Sequence, residues 1–169
     1  MATPAQRLQA DRLRFEGMLP AEVLVFKAWL SQHEKEYDRF LYNLRLGPGI
    51  EPPPGTAEYW RDLAIKSTQL RTDAVAYRGD QPTLIEVKRR ATAGNISQLL
   101  VYYHVWITSF PLSPPPKLIM VCNSLTPNIL PLLQATNIRL DQVEADFSQL
   151  RPTTFGRRGG ITTSTPAEE

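Results

Sequence analysis

Cysteine is almost missing from this sequence: Cys122 stands alone. That excludes an intramolecular disulfide framework, and it excludes a cysteine-ligated zinc or iron–sulfur site. Set in a continuous apolar run, Cys122 reads as core. Histidine is nearly as scarce. His33 and His104 are far apart and read as ordinary helix residues. No apolar run approaches the roughly 20 residues of a membrane span, and the opening Met-Ala-Thr-Pro-Ala-Gln-Arg lacks the apolar stretch of a signal peptide. The expectation is a cytoplasmic protein without membrane association. Neither sign of charge dominates, with 19 Lys and Arg against 17 Asp and Glu. A net charge of +2 permits nucleic-acid binding without arguing for it, because local clustering counts for more than the total. No internal repeat is visible.

What is present suits one domain. The chain has 169 residues, 42% of them hydrophobic, enough for a sizeable core over residues 1–150. Residues 151–169 are mostly Arg, Thr, Gly and Pro. They carry too little large apolar surface to fold alone, so a disordered C-terminal tail is expected.

Periodicity and breakers order the elements. A short helix is expected over Gln6–Phe15. A stronger one follows Pro20, with Val23, Phe26, Leu30 and His33 on one stripe, ending near Tyr37. Phe40–Leu46 reads as a strand stopped by Gly47-Pro48-Gly49. Residues 47–56 form a Gly- and Pro-rich loop, a candidate substrate-contacting flap, and Thr56 is placed to cap a helix through Ile65. Two strands follow, Arg71–Tyr77 and Thr83–Lys88, around a turn over Arg78–Pro82. A helix from Gly94 to Phe110 carries an apolar face of Ile96, Leu99, Leu100, Tyr103, Trp106, Ile107 and Phe110. Lys117–Cys122 has the continuous apolar character of a strand buried on both faces. A helix from Thr126 to Ala135, with Pro127 in its first turn, and a strand at Ile138–Leu140 complete the domain. Hairpin-joined strands followed by helical crossovers imply an α/β fold, a mixed sheet with helices on both faces.

One constellation carries chemistry. Glu86 and Lys88 are two residues apart on a strand and share a face, and Asp73 sits on the preceding strand. Two hard oxygen donors and an amine on one sheet suit metal-assisted phosphodiester hydrolysis. Downstream, Gln98 and Tyr102 are spaced i, i+4, so they share a helix face. That face is expected to differ from the one bearing Leu99, Tyr103 and Trp106.

Asp73 followed by Glu86-Val87-Lys88, in a helix–three-strand–helix–strand order over roughly residues 20–140, resembles the PD-(D/E)XK nuclease superfamily with its restriction-endonuclease-like αβββαβ core. Thr72 stands where that motif often has proline. Gln98-x-x-x-Tyr102 is similar to the helix motif of the exonuclease-like branch. The resemblance implies a Mg²⁺- or Mn²⁺-dependent deoxyribonuclease. Asp73, Glu86 and the Val87 carbonyl would bind the metal, and Lys88 would orient or help deprotonate the attacking water. Gln98 and Tyr102 would hold Lys88 or the phosphate. A further acid from the first helix is expected, with Glu22 preferred over Glu34 and Glu36. The compact domain resembles small phage or mobile-element nucleases of recombination, repair or genome processing.

Lys66, Arg71, Arg89 and Arg90 are candidates for contacting DNA phosphates; for the two consecutive arginines a solvated face is the competing reading. Tyr59 and Trp60 suit a satellite core or, less well, a base-stacking platform. The partner is DNA, with room for a protein partner or a homo-oligomer. A non-catalytic nucleic-acid-binding or assembly module that retains the fold is the alternative, and RNA or a nucleotide is an open substrate.

Overall fold

The computed structural model describes residues 14–148 and Leu150. Most of the helix expected over Gln6–Phe15, and the whole of the 151–169 tail, lie outside the described residues. In chain order the elements are α1 (Pro20–His33), β1 (Arg39–Leu46), α2 (Glu58–Thr68), β2 (Leu70–Arg78), β3 (Gln81–Ala91), α3 (Ala93–Ser109), β4 (Lys117–Leu125), α4 (Leu130–Thr136) and β5 (Arg139–Gln142). Single 3₁₀ turns follow α1 at Glu34–Glu36 and precede α4 at Pro127–Ile129. The helix expected from Thr126 is divided there, since Pro131 cannot donate a helical N–H.

The five strands form one mixed sheet in sequence order, β1-β2-β3-β4-β5. The pairs β1/β2 and β2/β3 are antiparallel, while β3/β4 and β4/β5 are parallel. This is the αβββαβ arrangement, with α2 inserted between β1 and β2. β2 and β3 join through Gly79-Asp80 alone, a tighter turn than the five residues expected, because Tyr77 pairs with Pro82 and Arg78 with Gln81. Gly79 takes φ +56° there, a conformation glycine adopts without a Cβ penalty.

Two apolar clusters cover the two faces. One packs Phe26, Trp29 and Val23 of α1 against Ala74, Ala76, Ile85, Val87, Ile119 and Val121. The other packs Ile96, Leu99, Tyr102 and Trp106 of α3 against Val75, Leu84, Leu118, Met120 and Cys122. Cys122 is buried core, as its setting suggested. α1 is buried more broadly than its predicted stripe, with Val25 and Trp29 fully enclosed. On α3 the buried face is narrower than predicted: Leu100, Ile107 and Phe110 are exposed.

α2 differs from both. It buries no residue, and Tyr59 and Trp60 are 70% and 60% exposed, so they are not satellite core. Nor does Thr56 cap α2. Its hydroxyl donates to the Pro53 carbonyl at 2.7 Å, and Ala57 takes the cap position.

Candidate active site

The site lies where β2 and β3 part. Their ladder ends at Ala74 opposite Ile85. Beyond that point β2 continues against β1 alone, through Thr72, Arg71 and Leu70. β3 continues against β4 alone, through Glu86 to Ala91. The fork leaves the Val87 N–H without a strand partner, and Asp73 Oδ2 accepts it at 2.8 Å. The carboxylate thus replaces a ladder bond and is fixed at the mouth of the fork.

Three acids meet one ammonium there. Lys88 Nζ lies 2.9 Å from Glu22 Oε1, 2.9 Å from Glu86 Oε1 and 3.5 Å from Asp73 Oδ2. Strict alternation puts Glu86 and Lys88 on the α3 side with Leu84. The gap between the strands nevertheless lets Lys88 reach Glu22 on α1. Glu22 is held by its other oxygen, which accepts the Leu19 N–H at 2.8 Å; this supplies the helix-end hydrogen bond that a leucine cap cannot. Of the three acids weighed from sequence, Glu22 is the one that reaches Lys88. Glu34 and Glu36 lie at the far end of α1, beside Arg14 and His33 respectively.

Burial sets the electrostatics. The Glu86 side chain is 1% exposed and Asp73 14%. The Lys88–Glu86 contact is an ion pair without hydrogen-bond alignment, so both Glu86 carboxylate oxygens are buried with no hydrogen bond. Burial pushes Glu86 up to about 8, and the neighbouring Asp73 charge adds to the rise against the pull of Lys88. Burial likewise raises Asp73, opposed chiefly by Lys88. For Lys88 burial acts downward, but Asp73, Glu86 and Glu22 together outweigh it and hold the amine firmly protonated. With all three acids ionised, three negative charges face one positive charge.

That surplus, with two buried and unbonded carboxylate oxygens, fits a hard divalent cation. Among the described residues no three His, Cys, Asp or Glu side chains already stand as a ligand cluster; the acids close on the ammonium instead.

Gln98 and Tyr102 sit nearby but bond elsewhere. Gln98 Nε2 donates to the Tyr102 hydroxyl, which donates to the Arg71 carbonyl at 2.6 Å. The hydrogen bonds of Lys88 go to Glu22 and Asp73. Tyr102 is not on a face separate from Leu99 and Trp106, as the spacing suggested; it is buried with them. Its burial pushes the phenol up to about 12. The pair pins α3 to β2 two residues before Asp73.

The basic candidates are scattered. Arg71, Arg89 and Arg90 are exposed on the two arms of the fork. Arg89 also lies over the Phe147 ring, 4.6 Å from its centroid. Lys66 is on exposed α2 and pairs with Asp62 at 3.5 Å. A cleft of about 620 Å³ opens at the other end of the sheet, lined by Gln81, Thr83, Lys117 and Arg139 among others. Thr83 is five residues from Lys88 along β3, about 16 Å away at strand rise, so this cleft is separate from the acid cluster.

What sequence reasoning missed is the fork and Asn43 beside it. Asn43 has φ +51° inside β1, and no local signal marks it.

No protein-family model matches the chain. No curated protein sequence matches it significantly. Among solved structures the chain is similar to the crystal structure of a repair endonuclease from Pyrococcus abyssi, with a TM-score of 0.48 and 16% identity. The alignment covers 78% of this chain and 50% of that one, so this chain spans about half of that protein's length. No helix among the described residues is long and apolar enough to cross a membrane.

Proposed function

We propose that the chain is a Mg²⁺- or Mn²⁺-dependent nuclease that hydrolyses DNA phosphodiester bonds at the β2/β3 fork. The observation that carries this reading is the meeting of Asp73, Glu86 and Glu22 around Lys88, with the Glu86 oxygens buried and unbonded.

Asp73 and Glu86 would hold the cation, with the Val87 carbonyl as a further donor. When bound, such an ion supplies Lewis acidity toward a phosphate oxygen and a bound water. Lys88, held protonated by the three acids in the metal-free protein, would donate hydrogen bonds to a phosphate oxygen and orient or help deprotonate the attacking water. Stabilising the charge that develops on phosphate is worth about 2.7–4 kcal/mol per well-placed donor. Glu22 fixes the ammonium from the α1 side. Arg71, Arg89 and Arg90 contact flanking phosphates, which position a duplex without reading its sequence. Gln98 and Tyr102 hold the β2 arm in place through the Arg71 carbonyl.

The test is cleavage of linear duplex, single-stranded and branched DNA, with RNA as a further arm, in Mg²⁺ or Mn²⁺. Cleavage should vanish with EDTA and with Asp73→Ala. Activity that survives either one overturns the mechanism. DNA binding with no cleavage under any metal would establish a binding module instead.

A further inference from the structure

Asn43 stands opposite Asp73. The flanking pairs Tyr42–Ala74 and Leu44–Thr72 keep one register across it, yet Asn43 itself has φ +51°. A left-handed residue in mid-strand is unusual, and asparagine is among the few non-glycine residues that tolerate it. Its consequence is visible in the packing. On β1, Phe40 and Tyr42 pack against the α1 cluster, whereas Leu44 packs against the α3 cluster and Leu46 is buried within it. On β2, Ala74 and Ala76 belong to the α1 cluster, but Leu70 packs on the α3 side. An uninterrupted strand keeps residues of one parity on one face. Both strands therefore turn over at the Asn43–Asp73 level, where β2 leaves β3.

The side chain of Asn43 makes a second connection. Gly17 has φ +96°, and a Cβ added there would stand 2.9 Å from Asn43 Oδ1. Gly17 opens the three-residue segment Gly17-Met18-Leu19 that feeds α1, and the Leu19 N–H is the group that Glu22 binds. One residue thus stands close against the segment that places Glu22, leaving no room for a side chain at Gly17, and lies across the ladder from Asp73.

We propose that Asn43 is a positioning residue for the acid cluster: its left-handed backbone turns β1 and β2 over at Asp73, and the close approach of its side chain to Gly17 sets the approach of Glu22 to Lys88. The proposal rests on the nuclease reading for its kinetic arm only. Asn43→Gly keeps the backbone conformation and removes the side chain, so it is the variant that folds; Asn43→Ala removes the conformational tolerance as well.

The metal-free arm is pulse acetylation of lysines read by mass spectrometry. Lys88, clamped in the wild type, should label at least several-fold faster in Asn43→Gly and faster again in Asn43→Ala, with Lys117 as an unchanged control. In the kinetic arm, kcat for DNA should fall, by up to about 100-fold for a displacement near 1 Å, while KM is unchanged. Gly17→Ala should reproduce the faster Lys88 labelling, and its added effect should shrink in the Asn43→Gly background, where the clashing oxygen is gone. Lys88 labelling at the wild-type rate in Asn43→Gly, whatever the melting temperature, overturns the proposal. A wild type that cuts no nucleic acid defeats the nuclease reading and leaves the labelling test intact.

Discussion

Among the described residues, Lys88 and Arg139 each gather more than one acid, and they differ in what the acids have left over. Arg139 lies 2.7 Å from Asp141 and 3.7 Å from Glu36. Its side chain is 46% exposed, and the second oxygen of Asp141 accepts the Trp29 indole N–H at 2.7 Å. Protein donors engage both Asp141 oxygens, and the cluster ties β5 to α1. Lys88 is less exposed, at 21%, and its partner Glu86 is almost fully enclosed. There the Glu86 oxygens lack aligned hydrogen bonds, and ionising all three acids would set three negative charges against one positive charge. A buried carboxylate whose oxygens lack aligned hydrogen bonds costs free energy, and the Lys88 ammonium offsets only part of that cost at Glu86. The number of ion pairs does not separate the two clusters. The desolvation of the Glu86 carboxyl does.

The largest expected contrast is in stability. Lys88→Ala leaves three buried or half-buried acids without their counter-charge, so at pH 8 it should cost about 3–5 kcal/mol, read as a lower urea midpoint. Arg139→Ala should cost less, about 1 kcal/mol, because Arg139 and Glu36 are both nearly half exposed and screened, and Asp141, though 10% exposed, keeps the Trp29 indole N–H. Equal losses would erase the distinction.

Rates come next. Glu86→Gln and Lys88→Ala should each slow metal-dependent DNA cleavage by roughly 100-fold or more, the equivalent of about 2.7–4 kcal/mol of barrier. Arg139→Ala should cleave at the wild-type rate. A Lys88→Ala protein with full activity would remove Lys88 from the reaction.

The pH dependence has a definite sign. Glu86 is raised to about 8 in the fold and sits near 4.3 when unfolded. Its contribution to stability is full below the unfolded value and is lost as pH rises to about 8. The raised Asp73 acts in the same direction. The metal-free protein should therefore be less stable at pH 8.5 than at pH 5, with Glu86→Gln flattening the slope. Mn²⁺ should restore the stability of the wild type at the higher pH. Denaturation midpoints that do not change with pH would contradict the burial of Glu86.

The smallest effect belongs to the helix pair. Tyr102→Phe loses the hydrogen bond to the Arg71 carbonyl and should cost about 1 kcal/mol. Gln98→Ala, acting only through Tyr102, should cost less. A Gln98→Ala variant that loses more stability than Tyr102→Phe would show that Gln98 has a role of its own.

Much of this architecture was legible in the chain. Alternation at Phe40–Leu46, the apolar run at Lys117–Cys122 and the 3.6-residue period of α1 and α3 are local patterns, and each became the element it predicted. Glu86 and Lys88 share a face because strand period is two. The misses have physical reasons. Thr56 has the chemistry of a cap, but the Pro53 carbonyl competes for its hydroxyl. Tyr102 looked like part of a polar face, yet a phenol buries its ring and needs only one partner for its hydroxyl. Tyr59 and Trp60 read as apolar, but α2 offers them nothing to pack against.

Sequence alone set the kinds of group available: two acids and a lysine on neighbouring strands, an acid in the first turn of α1, and one cysteine that leaves no thiolate cluster. These follow from residue identity and short-range periodicity. Tertiary structure decided that the groups meet. The β2/β3 ladder stops at Ala74, Asp73 takes the freed Val87 N–H, and α1 brings Glu22 across the gap to Lys88. Those are contacts between residues up to 66 positions apart, governed by where strands diverge and what becomes desolvated. No periodicity along the chain encodes them.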